Sequence, residues 1–121
     1  MRGFPREGCP EVDEGSSRLP RSYDGLRVLQ GEFEAYQRAA FPPREPRFFA
    51  LELAGETGEL ANLEKKAWKG RPVNGAEFAD EAADVLIALL NYANARGVDV
   101  ARAVSEKMAE IDRRRLLEPE R

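Results

Sequence analysis

Residues 46–69 read PRFFALELAGETGELANLEKKAWK. Apolar side chains recur there at three and four residues, which predicts a helix from Pro46 to about Lys69, with Gly70 as its left-handed stop. At 100° per residue, and with Leu53 at zero, Phe49, Leu60 and Ala67 fall within about 40°. Glu56 sits about 60° away, Glu52 about 100° and Glu59 about 120°, on the side where Leu63 also lies. These three acids therefore flank or interrupt an apolar stripe. They do not occupy the opposite, solvated face.

The same periodicity extends outward in both directions. Leu26, Leu29, Phe33, Tyr36 and Ala40 form the stripe of a helix with Ser22 as N-cap, ended by Phe41-Pro42-Pro43. After the linker Arg71-Pro72-Val73, Asn74 followed by Glu77 reads as a capping box. The helix it opens runs to Gly97 and is apolar almost all round between Ala82 and Leu90. Asp99 is a good N-cap for a fourth helix over about 100–115, with Val100, Val104, Met108 and Ile111 as its stripe. No segment alternates as a strand does. The expected fold class is all-α, a four-helix antiparallel bundle over residues 22–115 that assembles into a homo-oligomer. Residues 1–21 read as a disordered or loosely docked arm and residues 116–121 as a frayed tail.

The third helix repeats the acidic theme. Glu81 and Asp84 are neighbours on one face, beside the stripe of Phe78, Val85, Leu89 and Tyr92. Glu77, Asp80 and Asn91 share that polar sector. Pairing the two helices by their apolar sides brings like charges together. Two readings stand: solvated acids paired to lysines, or a seat for a hard divalent cation with oxygen ligands.

Composition narrows the chemistry. The 121 residues fit one domain, and 34% are charged. Net charge is −3, from 19 basic and 22 acidic residues, which argues against a duplex nucleic acid partner. The sequence has no histidine and one cysteine, Cys9. Ser-His and Cys-His catalysis are thereby excluded, as is an imidazole or thiolate metal cluster. The longest apolar run, Val85–Leu90, is far too short to cross a membrane. No signal peptide is evident at the start, so a cytoplasmic location is the expectation.

Leu53-Ala54-Gly55-Glu56-Thr57-Gly58-Glu59-Leu60-Ala61 and Glu81-Ala82-Ala83-Asp84-Val85-Leu86-Ile87 resemble the E-x-x-E and E-x-x-D motifs of the MazG-like family of all-α nucleoside triphosphate pyrophosphohydrolases. Gly97-Val98-Asp99-Val100, Lys107-Met108 and Arg113-Arg114-Arg115 are also similar to that family. The resemblance covers about residues 22–115. It implies hydrolysis of a nucleoside triphosphate between the α- and β-phosphates, giving a monophosphate and pyrophosphate. It carries over Glu56, Glu59, Glu81 and Asp84 as ligands of Mg2+, with Mn2+ as a substitute metal, and Glu56 and Glu59 as catalytic carboxylates. It implies a homodimer, or a tetramer built from dimers, with the pocket near the subunit contact. Two positions depart from the pattern: Gly55 replaces the first acid of a glutamate doublet, and Ile111 stands where asparagine is frequent.

Candidates on the substrate side are Lys107 and Arg114, seven residues apart on one flank of the fourth helix. Lys66 either meets phosphate or complements the helix C-terminus. Trp68 either stacks on a base or anchors the helix end. Asn91 lies two turns after Asp84 and either meets substrate or satisfies a neighbouring backbone group. Two other functions compete: phosphoribosyl-ATP pyrophosphohydrolase, and a non-catalytic helical oligomerisation or interaction module.

Overall fold

The structure, a computed structural model, describes residues 18–117. Cys9, most of the expected arm and the last four residues of the tail lie outside the described residues. Four helices are present: α1 (Tyr23–Ala40), α2 (Pro46–Trp68), α3 (Gly75–Arg96) and α4 (Val100–Leu117). No strand occurs among the described residues.

Local chemistry explains the helix ends. Phe41 takes an extended conformation ahead of Pro42 and stops α1. Pro46 opens α2, where its missing N–H is no loss. Past Lys69, the C-cap of α2, Gly70 turns with φ +81°. Asn74 Oδ1 accepts the Glu77 N–H at 3.0 Å and Glu77 Oε2 accepts the Asn74 N–H at 3.1 Å, an exchange of the kind that contributes about 1 kcal/mol. Gly97, at φ +69°, closes α3, and the Val98 N–H returns to the Ala93 carbonyl at 2.9 Å. Asp99 Oδ1 accepts the Arg102 N–H at 3.1 Å and starts α4.

One helix end lacks the expected bond and one lies further on than expected. Ser22 is the N-cap of α1 as expected, but its side chain makes no cap hydrogen bond. The fourth helix runs through Leu117, past the expected end near residue 115. Arg114 pairs with Glu110 at 2.6 Å and Arg115 with Asp112 at 3.0 Å, and such pairs one turn apart support a last turn.

The packing is uneven. α2 lies along α3 over much of its length, whereas α1 bridges α3 and α4. The start of α2 sits beside the end of α3, since Phe49 and Asn91 line one cavity. Further along, Glu59 faces Glu81. The buried apolar residues among those described are Phe49, Ala88, Leu90, Ala93 and Ala101, together with one polar residue, Gln30. Leu86, Ile87 and Leu89 of α3 remain about 40% exposed. No helix among the described residues is long and apolar enough to cross a membrane.

Candidate active site

The inner row of α2 is Phe49, Leu53, Glu56, Leu60, Leu63 and Ala67, each buried or half-buried. Glu56 thus takes a core position in the helical register. Across the seam, Glu81 and Asp84 are half-buried on α3. The Glu56, Glu81 and Asp84 carboxylates converge: one oxygen from each lies within 4.8 Å of the other two. Glu59 is exposed and outside this triad, yet it acts on both of its neighbours in the cluster.

Glu56 and Glu81 hold their protons more tightly than ordinary glutamates. Loss of solvation is the main cause for each. Repulsion from Glu59 and Asp84 adds to it in both cases, and Asp80 also acts on Glu81. Glu56 Oε2 and Glu81 Oε2 are buried and accept no hydrogen bond. Buried acceptor oxygens without a donor are unfavourable, and four acids around one point compound the strain. A hard divalent cation relieves both, and an all-oxygen donor set suits magnesium better than zinc or copper.

This electrostatic arrangement makes a prediction about metal-free protein. Both groups have a raised folded-state pKa, so the native state binds protons that the unfolded state has already released. Their contribution is complete below the ordinary glutamate range and is lost as pH rises through the raised values. Melting temperature in EDTA should therefore fall across that interval. Magnesium should raise the melting temperature more at neutral pH than in the acid range, because it displaces protons from the same oxygens. Differential scanning fluorimetry with and without Mg2+ measures both slopes; equal metal shifts at acid and neutral pH would count against the cluster as the metal seat.

The remaining candidates fall in different places. Lys66 borders an open pocket together with Glu59 and Glu81, so it stands beside the acids. Asn91 lines a separate cavity of about 420 Å³ between the end of α1 and the α2–α3 seam. Asn91 is two turns from Asp84, and Phe49 two turns from Glu56, so that cavity lies about 10 Å along the seam. Trp68 is 84% exposed, twelve residues and about 18 Å along α2 from Glu56, against Ala61, Glu64 and Lys65. Lys107 and Arg114 both pair with Glu110, at 3.2 and 2.6 Å, and keep its carboxyl below the usual range. They sit on α4, whose principal contact is α1, and do not join the α2–α3 acids within one chain.

The sequence reading missed Gln30 and Asn94. Gln30 is 93% buried and Asn94 forms part of the cavity wall. The only trace in the sequence is an amide next to Leu29 on the inner side of α1.

No family model matches the chain, and no solved structure matches it. Among curated proteins, it is 37% identical over 94 residues to dCTP pyrophosphatase 1 of Rattus norvegicus, covering 70% of this chain and 54% of that protein. The Homo sapiens dCTP pyrophosphatase 1 is 37% identical over 99 residues, covering 76% of this chain and 57% of the relative. The chain thus spans little more than half the length of the curated relatives it matches. A stretch covering 70% of the chain includes residues 56 to 84 wherever it begins, so the likeness embraces all four acids of the α2–α3 seam. The chain belongs to the MazG-like all-α nucleoside triphosphate pyrophosphohydrolase family.

Proposed function

We propose that this chain hydrolyses a nucleoside triphosphate to the monophosphate and pyrophosphate, as a cytoplasmic nucleotide-pool enzyme. The observation that carries this reading is the convergence of Glu56, Glu81 and Asp84, with two buried carboxylate oxygens lacking donors. Those three residues hold Mg2+ in this reading, with Glu59 as the fourth acid at the edge. The bound ion would neutralise phosphate charge and make the phosphorus more open to attack.

The chain's own groups then divide the remaining work. Glu59 is solvent-facing beside the cluster, so it can take the proton of an attacking water. Lys66, on the same pocket, steadies the charge of the departing pyrophosphate. The cavity about 10 Å along the seam takes the nucleoside end, where Phe41 offers an exposed ring and Asn91 an amide above the buried Phe49. The curated relatives are named for dCTP, and a deoxynucleoside triphosphate is the first substrate to try.

The chain is further proposed to be an antiparallel four-helix bundle that works as a homodimer or dimer-of-dimers tetramer. The exposed apolar side of α3 supports this. An assembly would also let α4 of one subunit bring Lys107 and Arg114 to the acids of another.

The test is pyrophosphate release from the eight ordinary ribo- and deoxynucleoside triphosphates, with Mg2+ and with EDTA. Metal-dependent release from at least one of them is expected. No release from any, together with no Mg2+-induced rise in melting temperature, would sink the enzyme reading.

A further inference from the structure

Gln30 is the one buried polar side chain among the described residues, and its bonds have a direction that backbone chemistry imposes. Its Nε2 donates to the Val98 carbonyl at 2.6 Å and to Asn94 Oδ1 at 3.0 Å. Its Oε1 accepts the Val100 N–H at 3.0 Å. A carbonyl can only accept and a backbone N–H can only donate, so Val98 and Val100 fix which end of the Gln30 amide is nitrogen. The second Nε2 hydrogen must then meet an oxygen, which orients Asn94. Asn94 Nδ2 donates in turn to the Gln30 main-chain carbonyl at 3.0 Å, an acceptor only. The Asn94 amide is therefore held in one orientation by two independent constraints.

Asn94 lines the cavity of about 420 Å³. Two of its four hydrogen-bonding positions are engaged by Gln30, which leaves one amide hydrogen and one oxygen lone pair. An unlatched asparagine amide can turn over about its roughly two-fold terminal torsion and offer donor or acceptor to either end of a ligand. A latched one presents a single pattern and leaves a mismatched base with an unpaired polar group, the effect by which polar pockets reject analogues. Asn91, one turn earlier on the same wall, has no such latch among the hydrogen bonds of the described residues.

We propose that Asn94 is the specificity-determining residue for the base of the nucleotide, with Gln30 the positioning residue that fixes its amide. The proposal deepens the pyrophosphohydrolase reading and rests on it for the placing of the nucleoside. Gln30 itself touches no substrate, since it is buried and is not among the residues that line the cavity.

The experiment compares wild-type full chain with Gln30→Leu and Asn94→Ala across the four ordinary deoxynucleoside triphosphates with Mg2+. Both variants should narrow the ratio of kcat/KM between the best and worst substrates by about tenfold, the scale of one well-placed hydrogen bond. The loss should appear in KM for the best substrate, with kcat changed less than about threefold. A merely structural amide would lower all four substrates equally, and that result overturns the proposal, as does an unchanged ratio. Should Gln30→Leu fail to fold, Asn94→Asp decides: it keeps the shape but turns the donor end into an acceptor, so the rank order of the four must change. An unchanged order sinks the idea. If wild type releases no pyrophosphate, the functional reading fails by itself. Equilibrium dialysis of the four deoxynucleoside monophosphates then reads the cavity directly. Selective binding that Asn94→Ala flattens sustains the proposal, and unselective or absent binding overturns it.

Discussion

Asp84→Asn is expected to abolish turnover while making the metal-free protein harder to melt. Asp84 supplies one of the three converging carboxylates, and its negative charge raises the pKa of both Glu56 and Glu81. The amide has nearly the same shape, so packing along the α2–α3 seam is kept. What changes is the charge. Without metal, one fewer like charge relieves repulsion among the remaining acids, and stability at neutral pH rises. With metal, an anionic ligand has been lost. Altering the outer-shell partners of metal ligands already lowers activity or affinity about 10–100-fold, so loss of a direct ligand should lower pyrophosphate release by at least about a hundredfold. The Mg2+-induced rise in melting temperature should shrink in parallel. Opposite signs for stability and activity distinguish a functional acid from a structural one, because a structural acid would lose both. Turnover within about tenfold of wild type, or a metal-free protein that melts lower, would remove Asp84 from the metal seat.

Much of this site was legible because its determinants are local. The Asn74–Glu77 box, the glycine stops at Gly70 and Gly97 and the Asp99 cap each involve residues within one helical turn, so a linear reading locates the helix ends to within two residues. The acids were legible for a related reason: Glu56 falls in register with Leu53 and Leu60, and an ionisable group in a core register invites an explanation. What stayed hidden depends on distant partners. Gln30 reaches Asn94, Val98 and Val100 across 64 to 70 residues, and no periodicity connects an amide on α1 with the α3–α4 corner. Lys107 and Arg114 share a flank of α4, as their spacing implies. The sequence does not reveal that Glu110, one turn from each, takes up both charges. Nor does it reveal that Trp68 projects from the far end of α2, remote from the acids. Helical spacing reports which residues share a face, but which face meets which neighbour is set by tertiary packing.

Leu86→Glu is expected to dissociate the protein into monomers and to lower its melting temperature sharply. On α3, Leu86 lies about 160° from Asp84 and about 140° from Glu81 around the helix axis. It therefore tests the apolar side of α3 without adding a charge to the acidic cluster. Leu86 is 42% exposed and Leu89 38%, and neither has a cover within the chain that fully removes it from water. Leu90 and Ala93, further along the same helix, are buried, since α1 packs on α3. The open section of α3 is apolar where a solvated helix would carry charge, and a second copy is the partner that the proposed assembly supplies. Burying a leucine contributes about 1.5–3 kcal/mol, and a two-fold contact counts each substitution twice. A buried, unpaired glutamate adds a further penalty. The dissociation constant should therefore rise by at least about a hundredfold. Sedimentation velocity over a range of concentrations reads this directly: a dimer or tetramer for wild type and a monomer for the variant. Because assembly and folding are linked by mass action, the wild-type melting temperature should climb with protein concentration, and that of the variant should not. A wild type that sediments as a monomer throughout, or a Leu86→Glu protein that assembles unchanged, would show that α3 is covered in some other way. Pyrophosphate release should fall with assembly if Lys107 and Arg114 of one subunit serve the acids of another; a fully active monomer would assign phosphate contact to groups such as Lys66 within the same chain.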